Sequence, residues 1–248
     1  MFDHVTIRVT DRAASERFYN TVLRPLAIDQ TYRTNAFSEW EQFSLAAADA
    51  DNPPTRRLHV AFVAPSREHV DEFWRAGTDA GYRSDGAPGP RPQYSEDYYG
   101  AFLLDPDGNS AEAVHDSRPN RTGVIDHLWI RVANVTKAKA FYETIRPHAG
   151  ILLDTDTPDR VQFRGTKGGS LSLVAGTPTE HVHMAFPIDD DEAVRRFHDV
   201  ATGAGYESRG APGERPQYHP GYYAAYVFDP DGNNIEVVNH HRGVAFTP

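Results

Sequence analysis

The sequence contains no cysteine, and this absence excludes several kinds of chemistry. Disulfides, thiolate metal sites and a cysteine nucleophile are all ruled out, so cysteine usage says nothing about the redox compartment. For a transition metal that prefers nitrogen or sulfur, the 12 histidines are the main ligands left.

Basic residues and long apolar runs are also scarce. The 25 lysines and arginines are outnumbered by 35 aspartates and glutamates, which gives a formal net charge of −10. Because a nucleic-acid-binding protein normally presents a basic face, we expect no nucleic-acid partner. No apolar run approaches the roughly 18 residues of a membrane span, and the first residues do not resemble a signal peptide. We therefore expect a cytoplasmic protein that does not bind a membrane.

The sequence contains an internal duplication. Residues 3–9 (DHVTIRV) recur about half a chain length later as residues 126–132 (DHLWIRV). The segments between the repeated motifs are barely alike, so two diverged copies retain a common frame. The same frame is kept by 86–94 and 210–218, and by the DPDGN segments 105–109 and 229–233.

The duplication predicts two domains of similar length. We place them at residues 1–118 and 123–243, because the polar stretch 115–123 contains proline and glycine and is typical of a linker. Each copy contains, twice, a strand-like run followed by apolar residues at helical spacing and then by short strands. The predicted helices have candidate N-caps at Ser66, Asn134 and either Asp189 or Asp190, and a candidate stop at Gly81.

The pattern within each copy predicts βαβββ modules, four in the whole chain. Such modules give an α+β architecture, with sheets rich in antiparallel pairs and helices on one face. In each copy, the DPDGN segment predicts a tight turn between the last two strands of the second module.

In both copies, strand alternation places histidines and a glutamate on the sheet face that is turned away from the helices. Within residues 4–9, Val5, Ile7 and Val9 share the face that packs, and His4 points to the opposite side. The same parity selects two histidines and one glutamate in each copy. They are His4, His59 and Glu112 in the first copy, and His127, Glu236 and either His181 or His183 in the second.

Two imidazoles and one carboxylate form the ligand set of a facial-triad metal site, which leaves coordination positions open for substrate, water or dioxygen. Any one of these histidines could be an ordinary strand residue. The repetition of all the placements in two otherwise diverged copies favours a metal site. The triad could form within one copy, as His4, His59 and Glu112, or across copies, as His4, His183 and Glu236, and the sequence does not decide between them.

These residues resemble the vicinal oxygen chelate superfamily. The similarity rests on the segments 3–5 and 58–60, the DPDGN turn that leads to Glu112, and their second-copy counterparts. This superfamily includes glyoxalase I, extradiol dioxygenases, fosfomycin-resistance transferases, methylmalonyl-CoA epimerases and bleomycin-resistance proteins. The resemblance implies two tandem glyoxalase-like domains, each of two paired βαβββ modules. It also implies that a divalent metal ion (Fe²⁺, Mn²⁺, Ni²⁺ or Zn²⁺) is bound by His4, His59 and Glu112 of the first copy and by His127, His183 and Glu236 of the second. The substrate it implies is a small molecule with neighbouring oxygens.

One departure from the resemblance bears on the reaction. Glyoxalase I has a further carboxylate on the last strand of its first module, where this sequence places Ser44 and Ser172. Serine is a poor metal ligand and no base on its own. We therefore expect an extradiol-type dioxygenase first. The alternatives are a lyase or isomerase of the glyoxalase type, and a non-enzymatic binding protein similar to the bleomycin-resistance members.

A loop rich in proline and tyrosine precedes each glutamate. Its tyrosines could exchange protons with a bound substrate, or they could only cover the edge of a sheet. Ser95 stands where the second copy has His219, so the two sites need not be equivalent. Separately, the sequence is compatible with a homodimer. The candidate acids and bases are Tyr94, Tyr98, Tyr218, His219 and Tyr222.

Overall fold

The computed structural model describes residues 1–117 and 122–241. Residues 118–121, at the centre of the predicted linker, and the predicted end of the second domain at 243 lie outside the described residues. The two domain boundaries therefore stay predictions. None of the helices in the described ranges is long and apolar enough to cross a membrane.

The described residues form the four predicted βαβββ modules. The first contains β1 (His4–Val9), α1 (Arg12–Leu23), β2 (Tyr32–Arg33), β3 (Phe37–Trp40) and β4 (Phe43–Ala47). The second contains β5 (His59–Val63), α2 (Arg67–Asp79), β6 (Ser84–Pro90), β7 (Tyr99–Leu104) and β8 (Ser110–His115). The third contains β9 (Ile125–Val132), α3 (Val135–Ala149), β10 (Ile151–Asp156), β11 (Arg160–Gly165) and β12 (Ser170–Ala175). The fourth contains β13 (His183–Pro187), α4 (Asp191–Gly203), β14 (Ser208–Glu214), β15 (Tyr223–Phe228) and β16 (Asn234–Asn239).

The helix ends follow the predicted caps. Asn134 caps α3, and Asp190 rather than Asp189 caps α4, each through a side chain that accepts a backbone N–H of the first turn. Ser66 precedes α2 in an extended conformation, but its hydroxyl contacts side chains instead of the backbone. Gly81 follows α2 with φ +87°, a conformation that glycine adopts without strain.

The modules combine into two eight-stranded sheets, and each sheet takes one module from each half of the sequence. The strand order is β14-β15-β16-β13-β1-β4-β3-β2 in one sheet and β10-β11-β12-β9-β5-β8-β7-β6 in the other. The halves meet where β1 pairs antiparallel with β13 and where β5 pairs antiparallel with β9. This arrangement confirms the predicted α+β fold.

The hydrophobic core lies on the helix side of both sheets. Val5, Ile7 and Val9 are fully buried on that side, as strand alternation predicts. Helix α1 packs against α2, and α3 packs against α4. The rings of Phe43 and Phe62, one from each sheet, meet edge to face at 5.2 Å, so the core is continuous between the sheets. The opposite faces remain available for polar groups.

The DPDGN segments form the predicted turns. Gly108 has φ +84° and donates its backbone N–H to the carbonyl of Asp105. The buried Asp105 carboxylate accepts the backbone N–H groups of Asp107 and Asn109 and the hydroxyl of Tyr19. Because β8 begins directly after this turn, these bonds fix the start of the strand that carries Glu112.

Candidate metal centres and their cavities

The six predicted ligands come together as two groups of three, and each group combines the two halves of the chain. The first centre consists of His4, His183 and Glu236. The second centre consists of His59, Glu112 and His127. The sequence left this pairing open, because it depends on which modules share a sheet.

The three ligand atoms of the first centre converge closely. His4 Nε2 lies 3.0 Å from His183 Nε2 and 3.5 Å from Glu236 Oε2, and His183 Nε2 lies 3.0 Å from the same oxygen. A metal with bonds of about 2.1 Å holds neighbouring ligand atoms about 3.0 Å apart at 90° and about 3.4 Å apart at 109°. The observed separations are close to this range.

The second centre repeats this arrangement. His59 Nε2 lies 2.9 Å from Glu112 Oε2 and 3.3 Å from His127 Nε2, and His127 Nε2 lies 3.4 Å from the same carboxylate oxygen. Both glutamate side chains are almost completely buried, at 1% exposure, whereas the histidines keep up to 25%. The open side of each centre is therefore the histidine side.

A small residue lies between two of the ligands in each centre. The sheet register places Ala185 opposite both His4 and Glu236, on the strand between them. In the second centre, Ala61 lies opposite both His127 and Glu112. Since adjacent strands are about 4.8 Å apart, a methyl group at this position leaves space above the sheet for an ion.

The second ring nitrogen of one histidine in each centre is held by the preceding aspartate. His4 Nδ1 lies 2.9 Å from Asp3 Oδ2, and His127 Nδ1 lies 2.7 Å from Asp126 Oδ1. A carboxylate at this distance favours a proton on Nδ1, which leaves the Nε2 lone pair directed at the centre. This is the usual way in which a protein fixes the tautomer of a metal-binding histidine.

A buried polar atom of Asn234 provides an independent test of whether a metal fits. The Asn234 side-chain nitrogen lies 2.8 Å from His183 Nδ1, while Asn234 Oδ1 is buried without a hydrogen-bond partner in the described part of the chain. With the amide turned over, Oδ1 would accept a proton from His183 Nδ1–H. His183 Nε2 would then be free to bind a metal, so the donor set fits a divalent ion.

Each glutamate is held by a tyrosine from the loop before its hairpin. The Tyr222 hydroxyl donates to Glu236 Oε1 at 2.6 Å, and the Tyr98 hydroxyl donates to Glu112 Oε1 at 2.7 Å. Burial and the neighbouring carboxylate raise the pKa of each tyrosine far above its usual value. Both hydroxyls therefore stay protonated and leave Oε2 of the glutamate facing the centre.

The charges of the second centre balance one another in the absence of metal. Burial raises the pKa of Glu112, but hydrogen bonds with His127 and His59 outweigh burial and lower this pKa to about 2. Burial lowers the pKa of His127, but hydrogen bonds with Asp126 and Glu112 outweigh it and raise this pKa to about 9. A metal that binds at neutral pH must therefore displace a proton from this centre.

Both centres open into cavities, and these differ in size. The cavity at the first centre has a volume of about 1610 Å³, and the one at the second centre about 550 Å³. One cause is a difference on the strands that carry His4 and His127. Thr6 lies two positions after His4, whereas Trp129 lies two positions after His127. The Trp129 ring lies 6.1 Å from the His59 ring and narrows the second cavity.

The sequence matches the family model of the Glyoxalase/Bleomycin resistance protein/Dioxygenase superfamily twice, over residues 1–113 and 124–237. The chain belongs to this superfamily. Glyoxalase I from Zea mays has a similar structure, with a TM-score of 0.67 and 17% identity over 96% of this chain and 92% of the maize chain. A putative dioxygenase from Bacillus subtilis subsp. subtilis str. 168 gives a TM-score of 0.65 and 15% identity over 99% of this chain and 86% of that one. At this identity the two likenesses show the fold alone, and no curated protein matches the sequence.

This glyoxalase-superfamily chain carries different charges at corresponding places in its two cavities. Arg209 lines the first cavity, where its guanidinium donates to the side-chain oxygen Oδ1 of Asn52 at 2.8 Å. The first copy has Asp85 at this position, which lines the second cavity and accepts the hydroxyl of Ser110. The two cavities therefore carry opposite charges at this position.

The loop residues predicted as acids or bases all line the cavities, but not in equal positions. Tyr94 and Tyr218 are exposed at 44% and 51%, and each ring packs about 5 Å from the next tyrosine of its loop. His219 lines the first cavity, whereas its counterpart Ser95 lines the second. Tyr98 and Tyr222 are buried and hydrogen-bonded to the glutamates.

The contacts of Ser44, and several other residues at the centres, were not predicted from the sequence. Ser44, expected near the further carboxylate of glyoxalase I, shares a buried hydrogen bond of 2.7 Å with Thr6. Glu39 lies directly opposite Ser44 on β3 and lines the first cavity, and burial raises its pKa despite the nearby His4. Asp3 and Asp126 precede His4 and His127 in the repeated segments. This repetition could have identified them as hydrogen-bond partners of the two histidines.

Proposed function

We propose that this chain is a metal-dependent enzyme of the glyoxalase superfamily that acts on a small molecule with neighbouring oxygen atoms, most favourably as an extradiol-type dioxygenase. The observation that carries the proposal is the convergence of two imidazole nitrogens and one carboxylate oxygen within 3.5 Å at each centre, on the side that opens into a cavity. An ion with six positions would keep three of them free, enough for two substrate oxygens and dioxygen.

A bound divalent ion would supply Lewis acidity and a place for dioxygen. Residues of the chain would hold the ion, orient the substrate and exchange protons with it. We assign His4, His183 and Glu236 to one ion and His59, Glu112 and His127 to a second. Each ion would be Fe²⁺, Mn²⁺, Ni²⁺ or Zn²⁺, and the dioxygenase reaction would require Fe²⁺ or Mn²⁺. Both oxygen atoms of one dioxygen enter the ring-opened product, so the reaction consumes no reductant.

We further propose roles for the five loop residues. Tyr218 and His219 at the first centre, and Tyr94 at the second, line the cavities and would exchange protons with the substrate. Tyr222 and Tyr98 would act through the glutamate that each hydroxyl contacts, by keeping Oε2 turned towards the ion. These two are therefore positioning residues.

A glyoxalase-type isomerisation is the second candidate, and Glu39 favours it. This carboxylate lines the first cavity and interacts electrostatically with His4, so it could remove a proton from a carbon next to a carbonyl. Gln162, opposite Ser172 in the second cavity, could not do this. A metal-free binding role, the third expectation, has no such observation in its favour.

The deciding experiment combines metal analysis with oxygen uptake. Protein reconstituted anaerobically with Fe²⁺ or Mn²⁺ should bind two ions per chain, and His183→Ala and His59→Ala should each bind one. Oxygen uptake with a panel of catechols, lost in the double variant, would support the dioxygenase. Turnover of a hemithioacetal without oxygen uptake, abolished by Glu39→Gln, would support the isomerase. Wild-type affinity for metal in the double variant would refute the assigned sites.

A further inference from the structure

Two arginines of the second cavity flank one apolar residue. The sheet register places Arg160 on β11 opposite Val174 on β12, and Val174 opposite Arg131 on β9. All three residues line the cavity. Since adjacent strands are about 4.8 Å apart, the Cα atoms of the two arginines are about 10 Å apart. Two side chains of this length can reach the same group of a bound molecule above Val174.

The guanidinium of Arg160 is held in place by uncharged neighbours. It lies 5.7 Å from the centre of the Trp129 ring, in a cation–π contact. One of its N–H groups donates to Gln162 Oε1 at 3.2 Å, and Gln162 Nε2 donates to the Ser170 hydroxyl at 3.1 Å. Because none of these partners is charged, they fix the position of the guanidinium without neutralising it.

The positive charges of both arginines stay uncompensated. The Arg131 guanidinium donates to the backbone carbonyl of Arg57 at 3.5 Å. Within residues 1–117 and 122–241, neither Arg131 nor Arg160 forms an ion pair with a carboxylate. By contrast, Arg164 on β11 pairs with Asp154 at 2.9 Å. Guanidinium groups that face a cavity in this state favour an anionic oxygen group, because each can donate two parallel hydrogen bonds to it.

The acidic residues of this cavity come from other strands. Asp85 lies on β6, the last strand of the sheet, whereas β11 is the second strand from the opposite edge, and its carboxylate accepts the hydroxyl of Ser110. Glu112 belongs to the metal centre, and Asp116 follows β8. The wall formed by β9 and β11 is therefore the positive side of the cavity.

The corresponding wall of the first cavity lacks one of the two arginines. The same register places Phe37 and Arg8 on either side of Ala46, so Phe37 takes the place of Arg160. Arg8 has a carboxylate nearby, that of Asp49 at 4.0 Å. The second arginine that lines the first cavity comes from β14, the strand that corresponds to β6, and so belongs to another wall.

We propose that Arg131 and Arg160 form an anion site, and that the second centre takes a substrate with neighbouring oxygens at one end and a carboxylate or phosphate at the other. The Trp129 ring centre is 6.1 Å from the His59 ring and 5.7 Å from the Arg160 guanidinium. A molecule about as long as one substituted aromatic ring therefore reaches from the centre to the arginines. The position of the neighbouring oxygens rests on the proposed function, whereas the anion site does not.

The anion site can be tested without metal or turnover. In the metal-free full chain, an NMR titration that follows the indole N–H of Trp129 should give a Kd for phenylacetate or phenyl phosphate at least about 10-fold below that of the neutral phenylacetamide. Arg131→Gln and Arg160→Gln should each remove most of this preference. Arg164→Gln takes the same charge from β11 outside the cavity and should leave it unchanged. Equal affinities for the anions and the amide, or a preference that survives in both cavity variants, would overturn the proposal.

The substrate class has a separate readout. In a zinc-loaded His183→Ala background, where only the second centre keeps its ligands, a catechol with a carboxymethyl group should bind about 10- to 100-fold more tightly than its amide. Arg160→Phe, which copies the first cavity, should abolish this difference. Equal Kd values for acid and amide would refute the predicted charge of the substrate. If neither catechol binds, the proposed function fails at this centre, and the phenylacetate titration still decides the anion site.

Discussion

Raising the pH should destabilise the metal-free protein through His127. The pKa of this histidine is about 9 in the folded chain, against its ordinary value of 6.5. Because the folded state holds the proton more tightly than the unfolded state, the resulting stabilisation is complete below pH 6.5. It is lost as the pH rises through 9.

The expected magnitude follows from the difference between the two pKa values. About 2.5 units at 1.36 kcal/mol each correspond to about 3 kcal/mol of unfolding free energy. The physical source is the pair of carboxylates around the ring, with Asp126 at 2.7 Å from Nδ1 and Glu112 at 3.4 Å from Nε2. A metal ion replaces the proton on Nε2, so this loss should vanish in the loaded protein.

Urea denaturation of chelator-treated protein at pH 6 and pH 10 tests this reasoning. Wild type should lose about 3 kcal/mol more than His127→Gln over this interval. His69→Gln, a substitution on α2 away from both centres, controls for the general effect of alkali. If wild type and His127→Gln lose the same amount, His127 is not protonated in the folded metal-free chain and the argument is wrong.

Four further substitutions test the packing at the centres and at the turn that precedes β8. Ala185→Leu should fill the space between the ligands of the first centre and lower the metal content from two ions to one per chain. Ala61→Leu should do the same at the second centre, and an unchanged metal content in either variant would show that the ions do not lie above these residues. Trp129→Thr should let the second cavity bind bulkier ligands, measured by calorimetry with the first centre disabled; equal affinities would show that the indole does not limit its size. Tyr19→Phe removes a hydrogen bond to the buried Asp105 carboxylate and should cost about 1 to 3 kcal/mol in urea denaturation, whereas a neutral effect would mean that the turn holds without it.

Strand alternation placed the six predicted ligands on the face away from the helices, next to fully buried apolar neighbours, but it left His181 and His183 equivalent until the resemblance chose His183. It could not pair the six ligands. Whether His4 meets His59 or His183 depends on contacts between modules far apart in the chain, and both arrangements bury the same apolar faces.

The residues around the ligands were harder to predict for a different reason. Glu39 becomes part of the first centre only through the register of β3 against β4, which no motif specifies. His240 also lines the first cavity, but it follows the last strand and its counterpart is Asp116, so the repeat gave no reason to select it. The same comparison did identify His219 as a difference between the copies.

Each sheet combines one module from each half of the chain, and this arrangement allows the two centres to differ. If one half of this chain paired with a second copy of itself in the same way, twofold symmetry would make the two centres identical, and every substitution would alter both. Joining the halves in one polypeptide removes that constraint. Thr6 and Trp129, or Arg209 and Asp85, can then differ, so one small protein can present two unlike binding sites built from the same three ligands.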